Sequence, residues 1–180
     1  GLDPSDELIA LDRSIAVSGQ LSIPADSVGR ALRGYILRDV IGEGSFGTVY
    51  RATQPHVARD VAVKVVKREL ADDRTFIHRF EAEARMVARL EHPHIVPLYD
   101  FWREPGGAYL VFRLLRGGTA EQVVVGTGPF DLPRVTRLLE QIGGALGSAH
   151  AAGVIHRDVK PANILFVDCG GGDAEVGEIG

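Results

Sequence analysis

Five short segments rich in β-branched and aromatic residues, with one helical segment between the third and the fourth, are the feature that most constrains the fold. The segments are, in order, YILRDVI at 35–41, FGTVYRA at 46–52, DVAVKVV at 60–66, IVPLYDFWRE at 95–104 and AYLVFRLL at 108–115. Glycine-rich turns join the first two segments and the last two, which favours hairpins. The order predicts an α+β unit in which an antiparallel meander of five strands carries one helix.

The helical segment between the third and fourth strands places an acid on its apolar face. At about 100° per residue, its apolar side chains fall within an arc of roughly 80°, and Glu83 lies in the middle of that arc. These side chains are Phe76, Phe80, Val87 and Leu90. Because burying an unpaired carboxylate costs free energy, Glu83 needs a cationic partner or a functional reason. The alternative is a helix of different phase, in which Glu83 lies at a solvated edge.

A second long helix is predicted from DLPRVTRLLEQIGGALGSAHAAG at 131–153. Asp131 can cap its start, and Gly153 can end it in the left-handed conformation. Its apolar stripe consists of Val135, Leu138, Ile142, Leu146 and Ala149.

The beginning of the chain predicts a separate element. LDPSDELIALDRSI at 2–15 has a turn-and-cap signal and then apolar residues at helical spacing, which indicates a short amphipathic helix. Residues 18–34 contain serine, glycine and proline without sustained periodicity. We interpret them as a linker, with a domain boundary near Arg33.

Composition and net charge favour a globular protein and argue against binding to nucleic acid or to anionic lipid. A chain of 180 residues that is 45% hydrophobic and 24% charged is expected to be globular, and a net charge of −4 gives no field that would gather nucleic acid or anionic lipid. The single cysteine, Cys169, fits a reducing compartment, so we expect a cytoplasmic protein. No apolar run approaches the ~20 residues of a membrane helix. The chain starts with Gly1 rather than Met, so a piece of a larger protein is expected.

The sequence GEGSFGTV matches the pattern G-x-G-x-x-G-x-V at Gly42, Gly44, Gly47 and Val49. Glycines at this spacing let backbone amides approach phosphate oxygens without obstruction by side chains. By itself, a flexible hairpin explains the pattern nearly as well. These glycines join two strands, whereas a dinucleotide-binding loop joins a strand to a helix, so the dinucleotide interpretation is disfavoured.

Lys64 lies in VAVK on the third predicted strand, on the same face as Ala62. A lysine among valines is either an edge residue that extends its amine to solvent or a phosphate ligand held by an acid. Glu83 supplies that acid. Each of the two unusual charges therefore explains the other.

The octet HRDVKPAN at 156–163 concentrates polar groups suited to phosphoryl transfer. Asp158 can accept a hydroxyl proton, Lys160 can neutralise a transferring phosphoryl group, and Asn163 can ligate magnesium. A polar loop without catalysis would explain the octet in isolation. Three such motifs in this order, with five strands and a helix between them, make chance an inadequate explanation.

Together with HPHIVPLYD at 92–100, these motifs make residues 35 to about 167 resemble the front part of a Hanks-type protein kinase, most similar to bacterial serine/threonine kinases. The resemblance implies a small lobe of a five-stranded antiparallel sheet plus one helix, then an incomplete helical large lobe, with ATP between them. It also implies transfer of the γ-phosphate of ATP, with Mg²⁺, to a serine or threonine hydroxyl of a protein substrate. Neither nucleic acid nor a membrane is an expected partner of this portion.

The resemblance further implies a role for each matching residue. Asp158 would be the catalytic base, Lys160 would steady the γ-phosphate, and Asn163 would bind magnesium. Lys64 would hold the α- and β-phosphates and pair with Glu83. The remaining nucleotide-binding positions would be Ile41, Gly42, Gly44, Gly47, Val49, Ala62 and Leu165, with Phe112 as gatekeeper before a hinge of Arg113, Leu114 and Leu115. Arg113 replaces the acid commonly found there, with little expected effect because the hinge uses backbone groups.

The resemblance fails at one important point. In this family a D-F-G triplet follows the catalytic loop by about a dozen or more residues and supplies the main magnesium ligand. The tail reads VDCGGGDAEVGEIG, where EIG at 178–180 is the nearest look-alike, with Glu178 as its acid. Asp168 and Asp173 are interpreted as turn residues. Residues 35–180 are therefore predicted to be a kinase domain truncated after the catalytic loop and inactive alone.

Residues 1–17 resemble the closing helix of a bacterial transcriptional activator domain, although an ordinary capped helix explains them equally well. An alternative function follows: a pseudokinase-like module that binds nucleotide or a regulatory partner and is linked to a transcriptional regulator. The presence of Lys64, Glu83, Asp158, Lys160 and Asn163 together favours the kinase, whereas the missing metal-binding aspartate favours the alternative.

Overall fold

The computed structural model describes residues 29–44, 47–67, 74–105 and 107–167. The chain divides into two compact units, Gly1–Ala88 with Leu98–Leu114, and Arg89–Pro97 with Leu115–Gly180. The predicted N-terminal helix, Cys169 and the candidate metal ligand Glu178 lie outside the described residues. Among the described residues, no helix is long and apolar enough to cross a membrane.

The first unit contains one antiparallel sheet and one helix. Its strands are β1 Ala31–Leu32, β2 Tyr35–Gly44, β3 Gly47–Gln54, β4 Arg59–Val66, β5 Leu98–Glu104 and β6 Gly107–Arg113, and its helix is α1 Arg74–Val87. The strand order is β1-β2-β3-β4-β6-β5. All five predicted strands are present, and the predicted helix lies between the third and the fourth of them.

Two details of the sequence prediction need correction. The sheet is not a simple meander, because β6 lies between β4 and β5. The chain crosses from β4 to β5 through α1, and the tight β5–β6 hairpin then returns β6 to the free edge of β4. In addition, the end of the predicted linker is part of the sheet, since Ala31 and Leu32 pair with Ile36 and Tyr35. Two residues are too few to show an alternating pattern in the sequence.

Strand β4 is buried on both faces. Val61 and Val63 belong to one apolar cluster, and Val66 belongs to the other, which includes Phe80 and Ala84 of α1. Side chains alternate along a strand, so Lys64 shares the α1-covered face with Val66. A strand of this kind leaves no solvated edge for the amine of Lys64.

The second unit has two helices. Helix α2, Ala120–Thr127, begins with a capping box in which Thr119 and Gln122 bond reciprocally. Helix α3, Leu132–Ala151, begins with the predicted cap, because the Asp131 side chain accepts a hydrogen bond from the Arg134 amide. Gly153 follows the helix at a φ of 81°, as predicted. The predicted stripe lies inward, because Leu138, Ile142 and Ala149 are buried. Leu146 packs against the apolar cluster that contains Leu138, Ile142 and Phe166.

Residues 164–166 close the second unit by pairing with the start of α2. The Gly117 amide donates to the Phe166 carbonyl at 2.9 Å, and the Phe166 amide donates to the Gly118 carbonyl at 2.9 Å. The Phe166 side chain is fully buried among residues of α2 and α3. The chain segment that follows the HRDVKPAN octet is therefore fixed by backbone hydrogen bonds and by an aromatic anchor.

Replacement of Gly47 by alanine is expected to destabilise the first unit. A Cβ at this position would overlap the carbonyl oxygen of Val65 on the neighbouring strand. Forcing an atom into a packed site typically costs about 1–3 kcal/mol. The free energy of unfolding of Gly47→Ala, measured by urea denaturation, should fall by about that amount.

Gly143→Ala is the matched control. Gly143 lies within α3, and a Cβ there would meet nothing within 4 Å. Removing glycine from a helix interior should raise the free energy of unfolding by up to about 1 kcal/mol. Equal effects of the two substitutions would contradict the close approach of strands at Gly47.

Candidate active site

The glycine pattern forms the hairpin between β2 and β3. Gly42 pairs with Val49, and Gly44 pairs with Gly47, so the glycines lie at the end of the two strands where the chain turns from β2 to β3. The register shifts twice between Leu37 and Gly42, which shows that β2 is irregular just before the glycines. Gly47 itself is required by the close backbone of Val65, so a steric reason for glycine exists there without any ligand.

The sheet register brings several predicted nucleotide-binding residues to one face. Lys64 is directly opposite Val49 on β3 and Leu110 on β6, and Ala62 is opposite Phe112. Directly opposed residues of an antiparallel pair project to the same side of the sheet. Val49, Ala62, Lys64 and Phe112 therefore share the α1-covered face. Arg113 follows at the end of β6, and Ile41 is half exposed on β2.

Lys64 has a strongly perturbed pKa. Its side chain is 5% exposed, and burial lowers its pKa to about 7. Desolvation disfavours the ammonium form, because a charge loses its hydration in an apolar environment. At neutral pH the amine is therefore near the midpoint of its titration. A nearby anion would raise this pKa and restore the charge.

Glu83 is buried on the inner face of α1, as predicted, with 6% of its side chain exposed. Its helical neighbours Phe80 and Ala84 pack with Val66 and Leu110, which flank Lys64 on the sheet. The interpretation of Glu83 as a solvated edge residue is therefore wrong. Both buried charges belong to the interface between α1 and one sheet face, and their direct pairing stays a prediction.

The remaining site residues lie in the second unit. Lys160 Nζ lies 2.9 Å from Asp158 Oδ2. Asn163 Nδ2 donates to the same oxygen at 3.1 Å and to the Asp158 carbonyl at 2.8 Å. Leu165 forms a backbone bridge with Thr119, and Leu115 is part of the segment that leads to α2. The octet is thus an organised loop built around one carboxylate.

The electrostatics of the loop keep Asp158 ionised. The hydrogen bond from the Lys160 ammonium, together with that from Asn163 and the charge of His156, lowers the pKa of Asp158 below its ordinary value, against a smaller opposing effect of burial. An ionised carboxylate accepts hydrogen bonds only. Asp158 can therefore accept and orient a hydroxyl group near neutral pH.

Asn163 has one polar atom available for a ligand. Its side chain is 3% exposed, and its Oδ1 is buried without a hydrogen-bond donor in the part of the chain that the structure describes. Pro161 starts a 3₁₀ turn at Pro161–Asn163, and the Asn163 amide donates to the Lys160 carbonyl at 2.9 Å. This turn fixes the amide side chain beside Asp158.

Sequence reasoning missed two features of the octet. The imidazole of His156 lies beside the Asp158 backbone, with Nδ1 3.3 Å from the Asp158 amide nitrogen. Arg157 adopts a φ of 61°, in the left-handed region that non-glycine residues avoid. Such outliers often occur at functional sites. No local sequence signal predicts this conformation for an arginine.

Comparison with known proteins agrees with the residue pattern. The sequence profile described as "Protein kinase domain" matches residues 35–171. The serine/threonine-protein kinase PknA of Mycobacterium tuberculosis is 44% identical over 149 residues, covering 79% of this chain and 35% of that protein. Its kinase PknE is 43% identical over 131 residues, covering 73% of this chain and 23% of that protein. The chain therefore spans about a third or less of these curated relatives.

A solved structure agrees on the fold. The kinase domain of PknI from Mycobacterium tuberculosis superposes with a TM-score of 0.69 at 32% identity. The match covers 83% of this chain and 60% of that one. The predicted α+β kinase fold is confirmed, whereas the resemblance of residues 1–17 to a transcriptional activator domain stays a prediction. By sequence, by fold and by the order of its motifs, the chain belongs to the protein kinase domain family, among the serine/threonine kinases.

Proposed function

We propose that the protein containing these residues transfers the γ-phosphate of ATP to a serine or threonine hydroxyl of a protein substrate. The observation that carries the proposal is the geometry of the octet. Asp158 is held ionised by Lys160 at 2.9 Å and by the Asn163 amide at 3.1 Å. An acceptor, a cation and a free amide oxygen are three of the groups that protein kinases use in phosphoryl transfer.

Within this proposal, Asp158 accepts the proton of the attacking hydroxyl. The lowered pKa of Asp158 keeps the carboxylate ionised at neutral pH, so it can accept a hydrogen bond from that hydroxyl and orient it. Lys160 lies beside the same oxygen, so its ammonium can offset negative charge that develops on the phosphoryl group. Both effects depend on positioning, which is the main contribution of the protein in phosphoryl transfer.

The residues present fit a magnesium ion at Asn163. An amide oxygen is a hard ligand of the kind that Mg²⁺ prefers, and Asn163 Oδ1 is buried without a donor among the described residues. Mg²⁺, when bound, would neutralise charge on the phosphate oxygens. Glu178 remains the candidate for a second ligand, which would be acidic. It lies outside the described residues.

The nucleotide would be held by residues of the first unit. Lys64 would contact the phosphates, because its buried amine gains a partner there that restores its charge. Glu83 would orient that amine from α1. The turn end of the β2–β3 hairpin, with Gly42 and Gly44, would supply backbone amides to phosphate oxygens. Gly47, Val49, Ala62 and Phe112 would shape the surface beside the nucleotide, with Ile41 and Arg113 as further contacts.

Asp158→Asn is expected to lower phosphoryl transfer by at least about 100-fold, because it removes the proton acceptor. The measurement is autophosphorylation of the protein that contains this chain, with labelled ATP and Mg²⁺. Asp131→Asn is the matched control, since asparagine caps α3 as well as aspartate and Asp131 is exposed. A module that binds nucleotide without transferring phosphate is the alternative. It would bind Mg·ATP equally well before and after Asp158→Asn and show no transfer in either case.

Nucleotide binding is expected to take up a proton at Lys64. In the nucleotide-free chain, with a pKa of about 7, roughly nine-tenths of Lys64 is neutral at pH 8. Phosphate oxygens favour the ammonium and raise the pKa, so binding of Mg·ATP at pH 8 should take up close to one proton at this residue. The uptake should vanish below about pH 6, where Lys64 is already charged.

Calorimetric titration in two buffers of different ionisation enthalpy measures this uptake. Lys64→Met should remove the uptake and weaken binding, whereas Lys67→Met, at the position that follows the last residue of the same strand, should change neither. Equal proton uptake by the unaltered chain and by Lys64→Met would show that Lys64 does not contact the phosphates.

A further inference from the structure

Residues 29–34, which we call the strap, form a short strand that is folded back on β2. Leu32 pairs with Tyr35 across a two-residue turn of Arg33 and Gly34. Both turn residues have positive φ, 46° and 88°, which is the requirement of a type I′ hairpin turn. The Gly29 amide donates to the Leu37 carbonyl at 2.8 Å, and the Leu37 amide donates to the Arg30 carbonyl at 3.1 Å.

The strap covers an aromatic stack that contains Trp102. The Trp102 ring lies between Tyr35, with ring centroids 5.8 Å apart, and Tyr109, at 4.9 Å, and both pairs are nearly parallel. The Arg33 guanidinium lies 5.5 Å from the Trp102 ring centre, and Leu32 of the strap is buried in the same cluster. Trp102 Nε1 is buried without a hydrogen-bond acceptor in the described part of the chain. Packing alone therefore holds this side chain.

The strap also holds the last regular part of β2 before the glycines. Residues Tyr35–Leu37 have the strap on one side and β3 on the other. Beyond Leu37, the pairing with β3 shifts twice before Gly42, and residues 38–41 are exposed. Displacement of the strap would remove one of the two neighbours that anchor the glycine hairpin.

The turn of the strap is conformationally strained. Arg33 is one of three non-glycine residues with positive φ in the described ranges, and arginine has no side-chain group that favours this region. Its cation–π contact with Trp102 and the burial of Leu32 offset this cost. Attachment is therefore a balance between strain in the turn and contacts that depend on Trp102.

We propose that the strap is a detachable latch that anchors the glycine hairpin through Tyr35–Leu37. In the attached state, the strap covers Trp102 and anchors Tyr35–Leu37. In the released state, Trp102 is uncovered and the hairpin moves more freely. The latch itself is independent of the proposed kinase activity, and only its effect on nucleotide affinity rests on that proposal.

Gly34→Ala is the test variant. A Cβ at Gly34 would meet nothing within 4 Å, so the substitution acts only through its φ of 88°. Trp102 is the only tryptophan of the chain, so fluorescence reports directly on its cover. We expect a red-shifted emission, greater quenching by acrylamide, and hydrogen exchange of the Leu37 amide that is about tenfold faster. Mg·ATP should also bind less tightly.

Gly128→Ala is the matched control, because Gly128 has a φ of 91° and equally open space but follows α2 in the second unit. It should leave Trp102 emission, Leu37 exchange and nucleotide binding unchanged. Leu32→Ala, which weakens the strap by loss of buried apolar contact, should reproduce the effects of Gly34→Ala.

Uncovering of Trp102 without faster exchange along β2 would overturn the proposal, as would unchanged Trp102 emission in both strap variants. If neither variant folds, native-state exchange of the unaltered chain decides. The Leu37 amide should then exchange through a local opening that leaves the Val63 amide of β4 protected. Exchange of both amides only by global unfolding contradicts a latch.

If the unaltered chain does not bind Mg·ATP, the proposed function fails. The fluorescence and exchange results still test the latch in that case.

Discussion

The burial of two opposite charges between α1 and the sheet is the constraint on which the first unit depends. Lys64 and Glu83 lie at an interface that is otherwise built from side chains such as Phe80 and Leu110. Desolvation lowers the pKa of Lys64 to about 7, so the folded chain holds this amine in an unfavourable environment. In the proposed function, a phosphate group beside Lys64 would favour the ammonium form and offset this cost.

In the second unit, the environment of Asp158 stabilises its charged form rather than its neutral form. Asp158 is partly exposed and is kept ionised by its neighbours, chiefly Lys160. Backbone structure positions this part of the loop. Asn163 ends a 3₁₀ turn, and two backbone hydrogen bonds join Phe166 to Gly117 and Gly118, just before α2. In the proposed function, Asp158 would have to reach a substrate hydroxyl, so its position would come from the loop rather than from burial. Phe166, which is fully buried, anchors the chain just after that loop.

Sequence patterns predicted the elements better than their arrangement. Alternation and turn residues identified all five long strands, and the helical stripe identified the burial of Glu83. The position of β6 between β4 and β5 depends on contacts between distant segments, which local patterns do not contain. Helix α2 was missed because its three consecutive valines favour strands, although Thr119 and Gln122 formed a recognisable capping box. Motif spacing identified Asp158, Lys160 and Asn163, but the left-handed backbone at Arg157 depends on tertiary structure.

Glycines of the β2 region show why a motif needs a structure before its residues receive roles. Gly47 belongs to the phosphate-binding pattern, yet the backbone of Val65 alone excludes any side chain there. Gly34 belongs to no pattern and has open space around it, yet its φ of 88° makes it the turn on which the strap depends. Loss of nucleotide binding after substitution of Gly47 would therefore not demonstrate a phosphate contact. A change after substitution of Gly34 would instead show that the anchor of β2 influences the hairpin that follows it.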